Sequence, residues 1–261
     1  MSVPVIYVGC AGWSLPPHEK HRFPEDGSHL ARYAGCFSAV EINSSFYQAH
    51  RSETYARWAA SVPAEFRFSV KFPKVITHER RLKNVRKTLT PFIESVTELG
   101  DKLGALLLQL PPSFEFERRR ATAFFKLLRS MHMDTVVLEP RHATWFHAKA
   151  VDLCKAFGIG YVVADPAPVE GAAALEAWTD IVYFRLHGSP RMYFSPYSAE
   201  YLESLAARLD KVASRGIPVW CIFDNTGMGT ATGNACDLVD NLAARLKLRG
   251  KARRKVTRKR K

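Results

Sequence analysis

Nowhere does the chain carry the ~20 consecutive apolar residues that a membrane-spanning helix needs. Cysteine is sparse: Cys10, Cys36, Cys154, Cys221 and Cys236 are the only five in 261 residues, with no C-x-x-C pair and no zinc-ribbon spacing. An odd, scattered set argues against a disulfide framework or a cysteine-rich zinc module and reads as free thiols in a reducing compartment. H-E-x-x-H is absent, and no internal repeat or low-complexity segment interrupts residues 1–248. Residues 1–10 have neither the basic start nor the small-residue cleavage site of a signal peptide, and they read as a strand. These absences predict a soluble cytoplasmic protein with no membrane partner.

Acidic residues are missing from one place above all. The formal net charge is +13, yet residues 249–261 hold nine of the 38 Lys and Arg and no acid, leaving 29 basic against 25 acidic groups elsewhere. This tail, RGKARRKVTRKRK, has no apolar periodicity and is expected to be disordered and self-repelling. It reads equally as an arm for nonspecific contact with nucleic acid or as a solubilising tail.

What the rest of the chain has is alternation of short β-branched runs with longer helical patterns. Strands are expected at residues 5–10, 39–43, 66–71, 105–109, 136–141, 161–165, 181–187 and 219–224. Helices are expected at 52–61, 89–102, 117–131, 148–157, 199–214 and 231–248. Eight strands in one α/β series predict a single (β/α)8 TIM barrel over residues 1–248, rather than an open sheet of five or six.

Within strands the period is two. Val40 and Ile42 share one face against Glu41 and Asn43; Phe66, Phe68 and Val70 oppose Arg67, Ser69 and Lys71; Val182, Phe184 and Leu186 oppose Tyr183, Arg185 and His187. If the apolar face packs under helices, the polar face points into the barrel, and buried polarity is tolerable mainly where the barrel opens. Most of these polar groups fall at strand ends, where barrel enzymes place their sites.

Five residues suit catalysis there: Glu139, His142, His187, Lys71 and Asp165. Glu139 or Asp165 suits a general base tuned by burial and a neighbouring cation, and Lys71 suits either an ion pair or, with a depressed pKa, a Schiff base. Carboxylates with His and Asn could instead hold a divalent metal. Substrate contacts are expected from Glu41, Asn43, Gln109, Arg141, Arg185 and Asp224 at strand ends. The loops beyond add Tyr47, His78, Trp145, Tyr193 and Asn225, with Trp13 and Tyr197 nearby. Trp58, Trp178 and Trp220 read as core. Gly227, Gly229 and Gly233 after the eighth strand precede a helix, an arrangement that can cradle an anion beside Arg185 and Arg191.

Several stretches look familiar together. VGCAGWS, VEINSSFY, FSVKFPKVITH, GALLLQLPPSF, LEPRHATWF, FRLHG and FDNTGMGTATGNA occur in this order and resemble the YecE-like family, domain of unknown function 72. The resemblance spans residues 5 to about 245 and implies a TIM barrel, though no agreed activity. It carries over Glu41, Asn43, Tyr47, Lys71, His78, Gln109, Glu139, Arg141, His142, Trp145, His187 and Asn225. Asp224 stands where the family pattern expects Asn, and Ala11 where it expects Ser or Thr.

The expectation is therefore an enzyme acting by hydrolysis or proton transfer on a small phosphate- or carboxylate-bearing substrate. Glu139, His142 and His187 are its acid–base candidates, with Arg141, Arg185 and Lys71 orienting the anion. The alternative is a non-catalytic, nucleic-acid-associated module using the tail.

Overall fold

Each β-branched run becomes a strand because its alternate side chains can be buried on two different faces. The computed structural model describes residues 5–172 and 181–258, with side chains as far as residue 247. Its elements run β1 (Ile6–Cys10), α1 (His29–Ala34), β2 (Ala39–Ile42), α2 (Ser52–Ala60), β3 (Arg67–Lys71), α3 (Arg86–Val96) and β4 (Leu103–Gln109). There follow α4 (Arg118–Arg129), β5 (Val136–Glu139), α5 (Ala148–Ala156), β6 (Ile159–Asp165), β7 (Val182–Leu186), α6 (Ala199–Ala213), β8 (Val219–Phe223) and α7 (Thr230–Arg258). The strand ladders are all parallel among the described residues, in the order β1-β8-β7-β6-β5-β4-β3-β2. This is a nearly closed TIM-like barrel.

Closure between β1 and β2 uses side chains where a ladder would normally run. The Cys10 amide donates to the Tyr33 hydroxyl at 2.7 Å, and that hydroxyl donates to the Ala39 carbonyl at 3.1 Å. Below it the Val8 amide donates to Ser38 Oγ at 3.0 Å. Glycine at position 9 permits the close approach, because a β-carbon there would stand 1.9 Å from the Ala39 oxygen. Above this seam, Ala11 bridges to Glu41 and the Gly12 amide donates to the Glu41 carbonyl at 2.9 Å.

Period-two patterning sorts the strand residues into two cores. Val40, Ile42, Phe68, Val70, Phe184 and Leu186 face the helices, where they join Leu89, Phe124, Phe125, Leu205 and Leu238. Ala39, Ala105, Leu107, Val137, Val162, Tyr183, Trp220 and Ile222 fill the lumen. Trp220 stacks on Tyr183 with centroids 5.6 Å apart, and the glycine at position 104 makes room, since a β-carbon there would lie 2.3 Å from the indole. The lumen is thus plugged by aromatic and branched side chains, and the charged cluster lies above that plug.

Two elements differ from the sequence expectation. A six-residue helix, α1, occupies the long β1–β2 connection; Ser28 caps it by accepting from the Ala31 amide. Helix α7 runs from Thr230 to Arg258 and so extends past the expected end at residue 248. Lys and Arg favour helix and suit the negative end of its dipole, which offsets the lack of an apolar face. Trp220 is core as expected and Trp58 is partly buried against the helix-side core, while Trp178 lies outside the described residues. The five cysteines are free, four of them buried.

Candidate active site

Above the Tyr183–Trp220 plug, four strands deliver a charged cluster. Arg185, from β7, has no exposed surface and reaches across the lumen to β2. Its Nε and Nη2 bind both oxygens of Glu41, at 2.9 and 2.6 Å for the shorter pair. Nη1 donates to Glu139 Oε2 at 2.8 Å, and Nη2 lies 3.0 Å from Asp224 Oδ2. Tyr183 adds a hydroxyl donated to Glu41 Oε2 at 3.0 Å and shares a 2.7 Å hydrogen bond with Ser69. One buried guanidinium therefore ties carboxylates from β2, from the end of β5 and from the residue following β8.

His187 completes the array just beyond β7. Its Nδ1 lies 3.0 Å from Asp224 Oδ2, while its Nε2 lies 2.8 Å from both Glu139 Oε1 and Arg141 Nη2. Arg141 also pairs with Glu139 Oε1 at 2.6 Å, yet its buried Nε has no partner. Nε2 of His187 thus faces one acceptor and one donor. Protonated, it donates to Glu139; deprotonated, it accepts from Arg141, so this edge keeps a partner in either state.

Electrostatics follow from that packing. Burial pushes the Glu139 carboxyl up, but Arg185, His187 and Arg141 outweigh it and hold the group well below the usual carboxylate range. Asp224 is lowered too, with burial again overcome, chiefly by Arg185 and His187. Arg185 itself is raised well above its ordinary value because three carboxylates outweigh its desolvation.

Lys71 is the exception. Burial, assisted by the charge of Arg185, lowers its amine to about 8 despite Glu41, Asp224 and Glu139. Only 7% of its surface is exposed, and Nζ rests 4.3 Å from the centre of the Phe46 ring. No carboxylate of the described residues stands within 4.0 Å of Nζ, contrary to the expected ion pair. Ser45 positions that ring: its hydroxyl bonds the carbonyls of Ile42, at 2.8 Å, and Lys71, at 2.7 Å, pinning the turn Ser44–Phe46 over the end of β3. His78, on a π-helical turn (Val75–Glu79), meets Phe46 edge-on at 4.9 Å, and burial and Lys71 lower its pKa. Phe46 and Tyr47 also wall a cavity of about 440 Å³ with His50, Tyr55 and Pro91. A second cavity of about 470 Å³, between α7 and the β1–β2 seam, is apolar and includes no member of the charged cluster.

Several expectations need correction. Asp165 is out of phase: on β6, Val162 and Ala164 face the lumen, so Asp165 turns outward and accepts from the Tyr197 hydroxyl at 2.9 Å. Trp145 is wholly buried behind β5 in the helix-side core, its indole donating to the Phe114 carbonyl at 2.8 Å. His142 bonds Thr144 at 2.9 Å within its own turn and makes no bond to the cluster. Asn225 ties loops together through Ser195, Thr230 and Asn234 rather than offering its amide nitrogen to a ligand. Glu41 and Arg185 have no exposed surface and saturate one another, so neither presents a free edge to a substrate.

The expected anion cradle at the start of α7 is filled by the chain itself. Thr232 bonds the Ser14 carbonyl, and a β-carbon at Gly233 would lie 2.6 Å from Glu19 Oε1. Nor do the carboxylates converge on a metal position. Among the described residues no three His, Cys, Asp or Glu side chains form a group able to hold one, because Arg185 stands between the acids.

Other expected residues do reach the mouth. Gln109 is in register with Glu139, Asn43 follows β2 with a buried Oδ1 lacking a partner, and Tyr47 is 71% exposed beside Phe46. Tyr193 meets the His187 ring edge-on at 5.6 Å, with φ of +69°, a backbone strain for a bulky residue. Trp13 packs edge-on against Trp58 at 5.0 Å. Sequence reasoning passed over Phe46, Ser45, Ser69 and the role of Tyr183. Only Ser69 and Tyr183 carried a signal, the inward parity they share with Lys71 and Arg185.

Comparison with known proteins now fits this geometry. The profile of the family described as "Protein of unknown function DUF72" matches residues 7–259. The chain belongs to that family. Among its relatives, YecE of Escherichia coli K12 is 30% identical over 175 residues, covering 64% of this chain and 62% of that protein. YunF of Bacillus subtilis is 24% identical, over 91% of this chain and 95% of YunF. A DUF72 family structure from Thermotoga maritima superposes with a TM-score of 0.75 and 25% identity, covering 92% and 99% of the two chains. One from Enterococcus faecalis gives 0.74 and 23%, covering 92% and 98%. No helix among the described residues is long and apolar enough to cross a membrane.

Proposed function

We propose that this DUF72 protein is an enzyme that moves protons on a small anionic substrate at the C-terminal mouth of the barrel. The observation carrying this reading is His187 Nε2, equidistant at 2.8 Å from the Glu139 acceptor and the Arg141 donor. Asp224 orients the ring from its other nitrogen, and Arg185 with Glu41 fixes the carboxylates from below. The unpartnered Nε of Arg141 supplies a donor for a carboxylate or phosphate. Burying this many charges costs several kcal/mol of desolvation per ion, an expense that structure alone does not require and that functional sites commonly carry.

Small 2-oxo acids, hydroxy acids and phosphorylated sugars, incubated with the protein in deuterated water and followed by NMR, test the reading. Carbon-bound hydrogen should exchange, or product form, for at least one class, and His187→Gln should slow this by about 10²-fold or more. Equal behaviour of wild type and variant across the panel would remove the relay from the mechanism.

A second reading rests on the tail, whose nine basic residues and no acid suit nonspecific contact with nucleic acid. On that reading the barrel is a scaffold and the arm supplies affinity.

A further inference from the structure

We propose that Lys71 is a covalent catalytic residue, its side-chain nitrogen forming an imine with the carbonyl carbon of an aldehyde or ketone substrate. This deepens the reading above and rests on it only in placing the substrate at the same mouth.

Four observations support the assignment. Lys71 ends β3 at the open end of the barrel and is 7% exposed. Its Nζ lies against the Phe46 face at 4.3 Å, without the carboxylate that a structural lysine buried in a protein usually finds. Methionine would fill a similar volume without the desolvation cost of an ammonium. The amine also sits within the field of Arg185, and burial with that like charge lowers it to about 8, the two means by which lysines are made nucleophilic. Asn43, just past the end of the neighbouring β2, has a buried amide oxygen with no partner, an acceptor suited to a carbinolamine hydroxyl.

The step balances without any further reagent. Lysine ammonium first releases one proton to the site. The neutral nitrogen forms a bond to the carbonyl carbon while the C=O π pair moves to oxygen, which takes up that proton. A second proton passes from nitrogen to the same oxygen, the C–O bond breaks, and water leaves. The products are a protonated imine and water, so the charge at position 71 is unchanged. The balance among Glu41, Glu139 and Asp224 on one side and Arg141, Arg185, His187 and Lys71 on the other is therefore kept. The imine keeps that cation in place and makes the substrate carbon adjacent to it acidic, which is where a proton relay has work to perform.

Site-resolved reductive trapping tests this on the full-length wild-type protein. Glyoxylate, as an anionic probe, and propanal, as a neutral one, are added with cyanoborohydride, whose hydride reduces the imine to a stable secondary amine. Peptide mass spectrometry then reads the occupancy of each lysine over time. At pH 7.5 an amine titrating near 8 has on the order of a hundredfold more neutral form than a solvent lysine. Lys71 should therefore be labelled roughly tenfold or more faster than exposed lysines, even with restricted access, and its rate should level off above pH 8. Labelling at the rate of exposed lysines, or slower, with both probes would overturn the proposal. The His187→Gln variant separates the two readings. Trapping at Lys71 that persists there, with no substrate turnover by wild type, supports the imine and removes the relay. His187-dependent turnover without trapping at Lys71 retains the relay and removes the imine.

Discussion

Replacing Arg185 by methionine should unfold much of what the barrel mouth depends on. Sequence alone suggests the opposite, since a residue at an open strand end supports little packing. The structure reverses this, because Arg185 is fully buried and touches Glu41, Glu139 and Asp224 at 2.6–3.2 Å. Methionine fills part of the volume and leaves three buried carboxylates with two cations. Breaking a buried ion pair from one side costs about 3–5 kcal/mol, chiefly because the stranded charge stays out of water. For a domain of this size that corresponds to a Tm lower by roughly 10 °C.

The pH dependence makes the test specific. In the wild type, Glu139 and Asp224 are depressed, so they add stability above their unfolded values near pH 4 and lose it as pH falls through their folded ones. Without the guanidinium, the strongest opposition to burial is gone and both groups rise. The variant then falls further behind wild type as pH rises through the raised values. Guanidinium denaturation of both proteins between pH 4.5 and 8 should therefore show a gap that widens with pH. A gap below about 1 kcal/mol that stays flat with pH would refute the reasoning, since a buried charge stranded by loss of its partner costs about 3–5 kcal/mol.

Further outcomes follow from other parts of the structure. Lys71→Met should stabilise the protein near pH 7 by up to about 3 kcal/mol, and the advantage should shrink between pH 8 and 10.5. The sign follows because the unfolded chain then binds the extra proton, so wild-type stability rises with pH in that window; denaturation curves of both proteins at pH 7 and 10 check it. Tyr33→Phe removes the hydroxyl that bonds Cys10 and Ala39, costing about 1–3 kcal/mol, with faster amide exchange at Cys10 as the local readout. Deleting residues 249–261 should weaken binding to a nonspecific DNA duplex and reduce its salt slope; unchanged affinity and slope would remove the tail from that role.

All eight strands were legible to within two residues at either end, because β-branched runs and period-two alternation are local properties. Where alternation was clear, as in β2, β3 and β7, inward and outward faces were also legible. It failed at β6, whose run IGYVVAD is apolar on both faces, so Asp165 was assigned to the wrong side. Trp145 misled for a related reason: nearness to a strand end does not say which way a loop folds. Pairing was the least legible property. Nothing local to Arg185 says that it will meet Glu41, 144 positions away, because that contact exists only once the sheet curls and brings β7 opposite β2. The unpaired state of Lys71 was hidden for the same reason.

The bond between Arg185 and Glu41 also runs from one wall of the barrel to the other, and Glu41 is the residue whose backbone receives β1 at the seam. The charged cluster and the closure of the barrel therefore meet at one residue in this chain. A change of side chain at Glu41 or Arg185 would remove the tie that crosses the lumen beside that seam. Diversification is freer at positions hung upon that frame, such as Gln109, Tyr47 and Tyr193, where a change of side chain leaves the crossing tie intact. Variation in sequence should therefore be greater at the rim than in the charged centre.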